Sequence, residues 1–211
     1  MTTLDSVVLE VADVAATEKF LAAAFGPAEQ VRVRESAAES SGFRGFTLSL
    51  TVSQPSTVTS LFDSAVAAGA TVIKPVTKSL WGYGGVLRSP DGTVWKIATS
   101  AKKDTGPATR AIDSVVLLLG CEDVAASKKF YVDHGLRVGK SFGRKYVEFE
   151  GTGQVKLGLY ARKALAKDAG VPVEGTGSHR IALAASGSNF TDPDGFAWEP
   201  TPHHEPASPA H

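Results

Sequence analysis

Apolar positions in this chain switch repeatedly between two periods. Val7-Val8-Leu9-Glu10-Val11 is rich in β-branched residues and opens a strand. Asp13 then stands where an N-cap belongs, and apolar residues take helical spacing from Val14 to Phe25, where Gly26-Pro27 stops them. Strand character returns at 31–34 and 43–52. Across 55–68, Val58, Leu61, Phe62, Ala65 and Val66 share one helical face that Gly69 ends. Strands are predicted at 71–76, 84–88 and 94–99, with Pro90-Asp91-Gly92 as the turn between the last two. Further on, Asp123 caps a helix through Tyr131, stopped by Gly135. Strands follow at 137–142, 146–149 and 155–160, a short helix at 161–169, and closing strands at 179–184 and 196–200.

The pattern contains itself twice. Residues 4–20 (LDSVVLEVADVAATEKF) match 112–130 (IDSVVLLLGCEDVAASKKF) apart from a two-residue insertion near Gly120 and Cys121. SPDGTVWKI at 89–97 matches DPDGFAWEP at 192–200, and Gly42 to Leu48 more weakly parallels Gly177 to Leu183. Three matches in one order indicate a duplication. The halves run over 1–103 and 110–202. Ser100 to Thr109 (SAKKDTGPAT), polar and carrying Gly-Pro, is the connector, with 104–109 as the linker proper. The helix over 55–68 has no counterpart in the shortened second half, and 203–211 reads as a flexible tail.

Charge narrows the function. Lys plus Arg and Asp plus Glu both total 22, so the chain has no basic excess with which to neutralise phosphates, and no nucleic-acid partner is expected. One cysteine, Cys121, rules out an internal disulfide, and with no base nearby in sequence it reads as a packing residue. Met1 to Asp5 does not open a signal peptide. No stretch approaches the ~18 apolar residues of a membrane span. The expected location is the cytoplasm.

A strand on Asp-Ser-Val-Val-Leu, a capped helix ending in Phe or Phe-Tyr, and a late Pro-Asp-Gly-x-x-Trp-(Glu/Lys) strand resemble the vicinal oxygen chelate superfamily, which includes glyoxalase I, bleomycin-resistance proteins and extradiol dioxygenases. Trp81-Gly82-Tyr83-Gly84-Gly85-Val86, placed before Ser89-Pro90-Asp91-Gly92, adds to the likeness. The resemblance covers nearly the whole chain. It implies an α+β fold of two βαβββ modules whose mixed or antiparallel sheets curl into a cup. It also implies two metal-ligand positions per module. These fall on Ser6 and Lys96 in the first half and on Ser114 and Glu199 in the second. Catalytic divalent ions take about three His, Asp, Glu or Cys ligands. A serine hydroxyl is a poor ligand and a lysine ammonium repels the ion. The expectation is therefore a site with no metal and no cofactor. A rescue reading would gather His179, Glu199 and Glu10 around an ion.

If those positions converge, Lys96 takes the metal's place and pairs with Glu199. Glu10, four residues along the strand from Ser6, would join them. Lys96 and Glu199 are thus the catalytic candidates if the protein is an enzyme. The same pair also reads as a structural ion pair closing the floor. Candidate ligand-binding residues are Ser6, Glu10, Arg44, Trp81, Tyr83, Ser114, Tyr146, Tyr160 and His179, with Trp81 and Tyr83 as a stacking wall. Trp95 and Trp198 should point away from the cup. The function expected is metal-free binding of a small, largely apolar or aromatic molecule, of the sequestration or resistance type, by a monomer or homodimer. The alternatives are a lyase or isomerase, metal-dependent or using Lys96 and Glu199, and a non-catalytic scaffold.

Overall fold

The computed structural model describes residues 2–80, 82–187 and 189–201. The first half runs through β1 (Leu4–Val11), α1 (Val14–Phe25), β2 (Val31–Glu35), a short β3 (Ser40–Gly42), β4 (Phe46–Thr51), α2 (Pro55–Ala67), β5 (Thr71–Ser79), β6 (Gly82–Arg88) and β7 (Val94–Thr99). The second half contributes β8 (Ser114–Cys121), α3 (Val124–Asp133), β9 (Arg137–Ser141), β10 (Tyr146–Glu150) and β11 (Val155–Ala161). It continues with α4 (Arg162–Ala169), a short β12 (Gly175–Gly177), β13 (Ile181–Ala185), β14 (Phe190–Thr191) and β15 (Ala197–Pro200).

Local chemistry sets these boundaries. Asp13 accepts from the Ala16 amide, and Asp123 from those of Ala125 and Ala126, so each carboxylate satisfies donors that a first helical turn leaves open. Pro55 starts α2, where a missing N–H costs nothing. The cap of α2 comes from the connector: the Ser56 amide donates to Asp104 Oδ1 at 2.7 Å. Gln54 grips the same segment, donating to the Gly106 and Pro107 carbonyls and accepting from the Thr105 and Gly106 amides. The linker is therefore bonded to the fold. Two strands start later than the apolar pattern suggests. β4 begins at Phe46, after Gly45 takes φ +81°, and β13 begins after Arg180 takes φ +57°. A left-handed residue cannot continue a strand.

Two main sheets form. One has eight strands in the order β5-β6-β7-β4-β8-β11-β10-β9, and the other five in the order β14-β15-β13-β1-β2. The eight-stranded sheet is two complete βαβββ units joined back to back. In each, the last strand returns parallel beside the first (β4 with β7, β8 with β11), and β4 and β8 meet antiparallel. The five-stranded sheet repeats that plan with parts missing. β2 lies parallel beside β1, β15 parallel beside β13, and β1 meets β13 antiparallel. Each sheet thus starts in one half of the sequence and ends in the other.

Alternation along the strands gives each sheet a core face. Leu4, Val7, Leu9, Leu48, Leu50, Leu117, Leu119, Leu183, Trp95 and Trp198 belong to one continuous buried cluster that joins both sheets with α1, α2 and α3. The tryptophans sit on this side, as alternation predicts. Each indole N–H finds a buried hydroxyl, that of Trp95 in its own turn and that of Trp198 on α3. Trp95 donates to Ser89 Oγ at 3.1 Å, whereas Trp198 donates to Tyr131 Oη, which in turn donates to Asp192. Ser89 and Asp192 are the first residues of the two matched turns, so the duplication kept the solution while the partners diverged. Burial pushes the Asp192 carboxyl above the usual carboxylate range, against the pull of hydrogen bonds from Tyr131 and Phe196.

Candidate functional site

On the five-stranded sheet, the face opposite the core carries Ser6, Val8 and Glu10 from β1, Arg34 from β2, Ala182 and Ala184 from β13, and Glu199 from β15. Arg34 is its centre. The guanidinium donates to Glu10 Oε1 at 2.6 and 3.1 Å and to both oxygens of Glu199 at 2.8 Å. β2 and β15 stand three strand spacings apart, about 14 Å. Two long side chains must therefore reach toward each other over β1 and β13. The small floor beneath, Ala182 and Ala184 at 1% and 0% exposure, lets them lie low. Burial acts to lower the Arg34 pKa, but hydrogen bonds to Glu10 and Glu199 outweigh it, so the net shift is upward.

This arrangement corrects the predicted Glu10–Lys96–Glu199 cluster. Glu10 and Glu199 do converge around a cation, but the cation is Arg34. Lys96 lies on β7 in the other sheet and bonds Asp168 Oδ2 at 2.8 Å. The reason is the exchange between halves: Ser6 shares a sheet with Glu199, and Ser114 shares one with Lys96. The residues at the family's metal positions do not fit an ion. Both carboxylates are taken by a guanidinium, and Ser6 Oγ is buried with no hydrogen-bond partner. Among the described residues, no three His, Cys, Asp or Glu side chains gather where they could hold a metal. His179 does not join Glu10 and Glu199. Its Nδ1 meets the Arg44 carbonyl (2.6 Å), its Nε2 meets the Asp194 carbonyl (2.9 Å), and its ring stacks on Phe196.

On the eight-stranded sheet the corresponding face is occupied by α4. Leu165 and Ala166 pack with Phe43, Leu118 and Tyr160, and Ala169 packs with Val86 and Val94. Polar bonds hold both ends. Arg162 donates to the Phe43 carbonyl at 2.9 Å. Lys74 Nζ donates to the Lys167 and Asp168 carbonyls at the C-terminal end, where a cation also suits the helix dipole. Lys96 completes this clasp through Asp168. The approach is close: a Cβ on Gly120 would stand 3.2 Å from Arg162 Cα.

The helix divides the face. On one side a cleft of about 660 Å³ remains, bordered by Thr51, Pro75, Val86, Lys96, Ala98 and Asp113. On the other side Tyr146 and Tyr160 meet edge to face at 5.3 Å, and Tyr146 Oη donates to Glu148 Oε2 at 3.1 Å. Burial, then the Glu148 charge, raises the Tyr146 phenol. Ser114 sits mid-sheet, with its hydroxyl against that of Thr51. Tyr83 borders the cleft, but its hydroxyl turns to Thr59 Oγ1 on α2 (3.2 Å), so it does not form the expected stacking wall. Trp81 lies outside the described residues, as does the tail over 203–211. Arg44 donates to the Asp91 carbonyl at 2.6 Å and braces the Pro-Asp-Gly turn. Burial holds the Cys121 thiol well above its ordinary pKa, which makes it inert, consistent with packing. Sequence reading passed over Arg34 and Asp168. Alternation in Val31-Arg32-Val33-Arg34 puts Arg34 opposite the core side, but nothing in the sequence says that β2 lies beside β1.

No family model and no curated protein matches the sequence. Solved structures do match the fold. A single-residue variant of glyoxalase I from Zea mays is 16% identical with a TM-score of 0.55, over 94% of this chain and 91% of that one. The maize glyoxalase I structure itself gives 13% and 0.51, over 88% and 70%. A dioxygenase candidate from Bacillus subtilis gives 10% and 0.55, over 89% and 70%. The chain therefore has an α+β, glyoxalase-like fold. Likeness at this identity reaches the fold and stops there.

Proposed function

We propose that this protein binds a small, largely apolar or aromatic molecule without a metal, in the manner of a sequestration or resistance protein. The cleft beside α4 is its binding site. The observation that carries this reading is the cleft itself. Its volume falls within the roughly 300–1,000 Å³ of small-molecule sites, and it combines apolar wall residues with a few polar groups at fixed positions. Ala98 and Pro75 supply apolar surface, and Thr51, Lys96 and Asp113 the polar edge. Metal independence is supported by Arg34, which puts a permanent positive charge between the carboxylates that an ion would need. An enzyme using Lys96 with Glu199 loses its basis, because the two residues serve different sheets.

Two measurements test the proposal. A thermal-shift screen of planar aromatic compounds should yield stabilising ligands whose effect disappears in Ala98→Trp, which fills the cleft. Elemental analysis should find no stoichiometric divalent ion in the native protein. Removing the guanidinium in Arg34→Ala should create a rise in Tm with added Zn²⁺ or Mn²⁺ that the native protein lacks. One tightly held ion per native chain would overturn metal independence, and ligands indifferent to Ala98→Trp would overturn the cleft assignment.

A further inference from the structure

Parallel strand pairs recur through the fold: β4 with β7, β8 with β11, β13 with β15 and β1 with β2. In the first three, an antiparallel neighbour covers the outer edge of the second strand. β6 lies along β7, β10 along β11 and the short β14 along β15. Each neighbour sets an apolar side chain opposite a core residue: Leu87 opposite Trp95, Val147 opposite Leu159 and Phe190 opposite Trp198. Among the described residues β2 has no such neighbour, and it ends its sheet.

The chemistry of β2 is that of an unfinished edge. The Gln30 carbonyl accepts from the Val7 amide, and the Ser36 amide donates to the Val11 carbonyl. Even-numbered residues therefore turn their backbone groups to β1, while Val33 and Glu35 turn theirs outward. Side chains alternate as well. Val31 and Val33 pair with Val7 and Leu9 and share their core side, where they stay only partly buried, as does Leu21 on α1. A groove of about 440 Å³ follows this apolar edge, with Glu18 at its border. Glu35 lies on the groove side and is exposed. Arg32 pairs with Val8, so it points to the opposite face, where it is also exposed. Among the described residues neither Arg32 nor Glu35 makes a side-chain hydrogen bond or ion pair. Arg34, by contrast, is held by Glu10 and Glu199.

We propose that β2 is a docking edge for an extended segment of a partner protein. The segment adds antiparallel to β2, with apolar residues opposite Val31 and Val33, an acidic residue opposite Arg32 and a cation opposite Glu35. Main-chain bonds to Val33 anchor it, its apolar side chains enter the groove, and the charges fix its register. A second copy of the chain fits badly. Consider the two-fold antiparallel registers that pair three or more β2 residues and keep both core faces on one side. Each sets arginine opposite arginine: Arg32 with Arg32, Arg32 with Arg34, or Arg34 with Arg34. Like charges directly opposite oppose pairing.

The test titrates the isotope-labelled full chain with the blocked peptide Lys-Thr-Val-Glu-Val, followed by amide NMR. Its residues fall opposite Glu35 through Val31 in order. The Val33 and Glu35 amide signals should move. N-methylation of the central Val removes the donor to the Val33 carbonyl and should weaken binding about tenfold or more. N-methylation of the Glu, whose N–H points away from β2, should weaken it less than about threefold. Replacing that Glu by Lys should weaken binding by roughly three- to tenfold, and Arg32→Glu should reverse the preference between the two peptides. Circular dichroism checks that the variant is folded, and the N-methyl comparison alters only the peptide. Several results would overturn the edge site: still Val33 and Glu35 signals at millimolar peptide, equal effects of the two N-methyl groups, or an unchanged peptide preference in Arg32→Glu. Binding removed by Ala98→Trp would move the peptide into the cleft beside α4 and also overturn it. A dimer by sedimentation, with the Val33 amide protected from exchange, would hand the edge to a second copy.

Discussion

The two sheets follow one plan at different degrees of completeness, and each closes its second face differently. The eight-stranded sheet has both outer wings, and its wide face is filled by a helix seated on Leu118, Tyr160, Val86 and Val94. The five-stranded sheet has lost its wings. Its narrow face is spanned by one arginine held between Glu10 and Glu199. Lys96 and Glu199 fill matched positions after matched turns, yet one clasps a helix and the other clasps Arg34. A sequence position in a duplicated fold therefore inherits a place on a strand. The chemistry at that place depends on which half supplies the rest of the sheet.

The largest expected effect probes the helical closure. Leu165 is fully buried, so Leu165→Ala should cost about 2–4 kcal/mol in urea unfolding. A cost below about 1 kcal/mol would mean that α4 merely rests on the sheet and that the contrast between the faces is weaker than it looks. The next effect compares the matched turns. Burial raises the Asp192 pKa in the fold above its unfolded value of about 3.9. Its contribution to stability is therefore complete below that unfolded value and is lost as pH rises through the folded one. Asp192→Asn should flatten the stability–pH curve across that interval, whereas Ser89→Ala in the other turn should leave the curve's shape unchanged. The smallest effect compares the two cations. Arg34 and Lys96 are 42% and 36% exposed, so solvent discounts both. Arg34→Met, which leaves two carboxylates facing each other, should cost about 1 kcal/mol, and Lys96→Met less than about 0.5 kcal/mol. Salt should shrink both differences. Equal costs would dissolve the distinction between a bridged pair of carboxylates and a simple surface clasp.

The elements are plain in the sequence because their signals are local. Asp13 and Asp123 announce their helices, Pro55 and Gly69 bracket another, and period-2 alternation alone places Trp95 and Trp198 on the core side. The resemblance to the glyoxalase-like fold also rests on such local strings. The candidate site is legible only in part. Glu10 and Glu199 are expected near one cation, and they are. The cation is misassigned because strand pairing is a long-range property: the exchange that puts β1 beside β13, and β4 beside β8, leaves no mark on either strand. Tyr83 misleads for a different reason. A tyrosine on a glycine-rich strand can face either way, and the deciding partner, Thr59, lies on a separate helix.

The pairing of Leu4 with Ala185 has a cost in time. At about 5–20 residues per second, a ribosome needs roughly ten to forty seconds after making β1 before its antiparallel neighbour exists. Until then the first apolar strand must wait without that neighbour, exposed to the association that bare strand edges invite. The nascent chain is safest where that interval is short or where another factor shields its first strand.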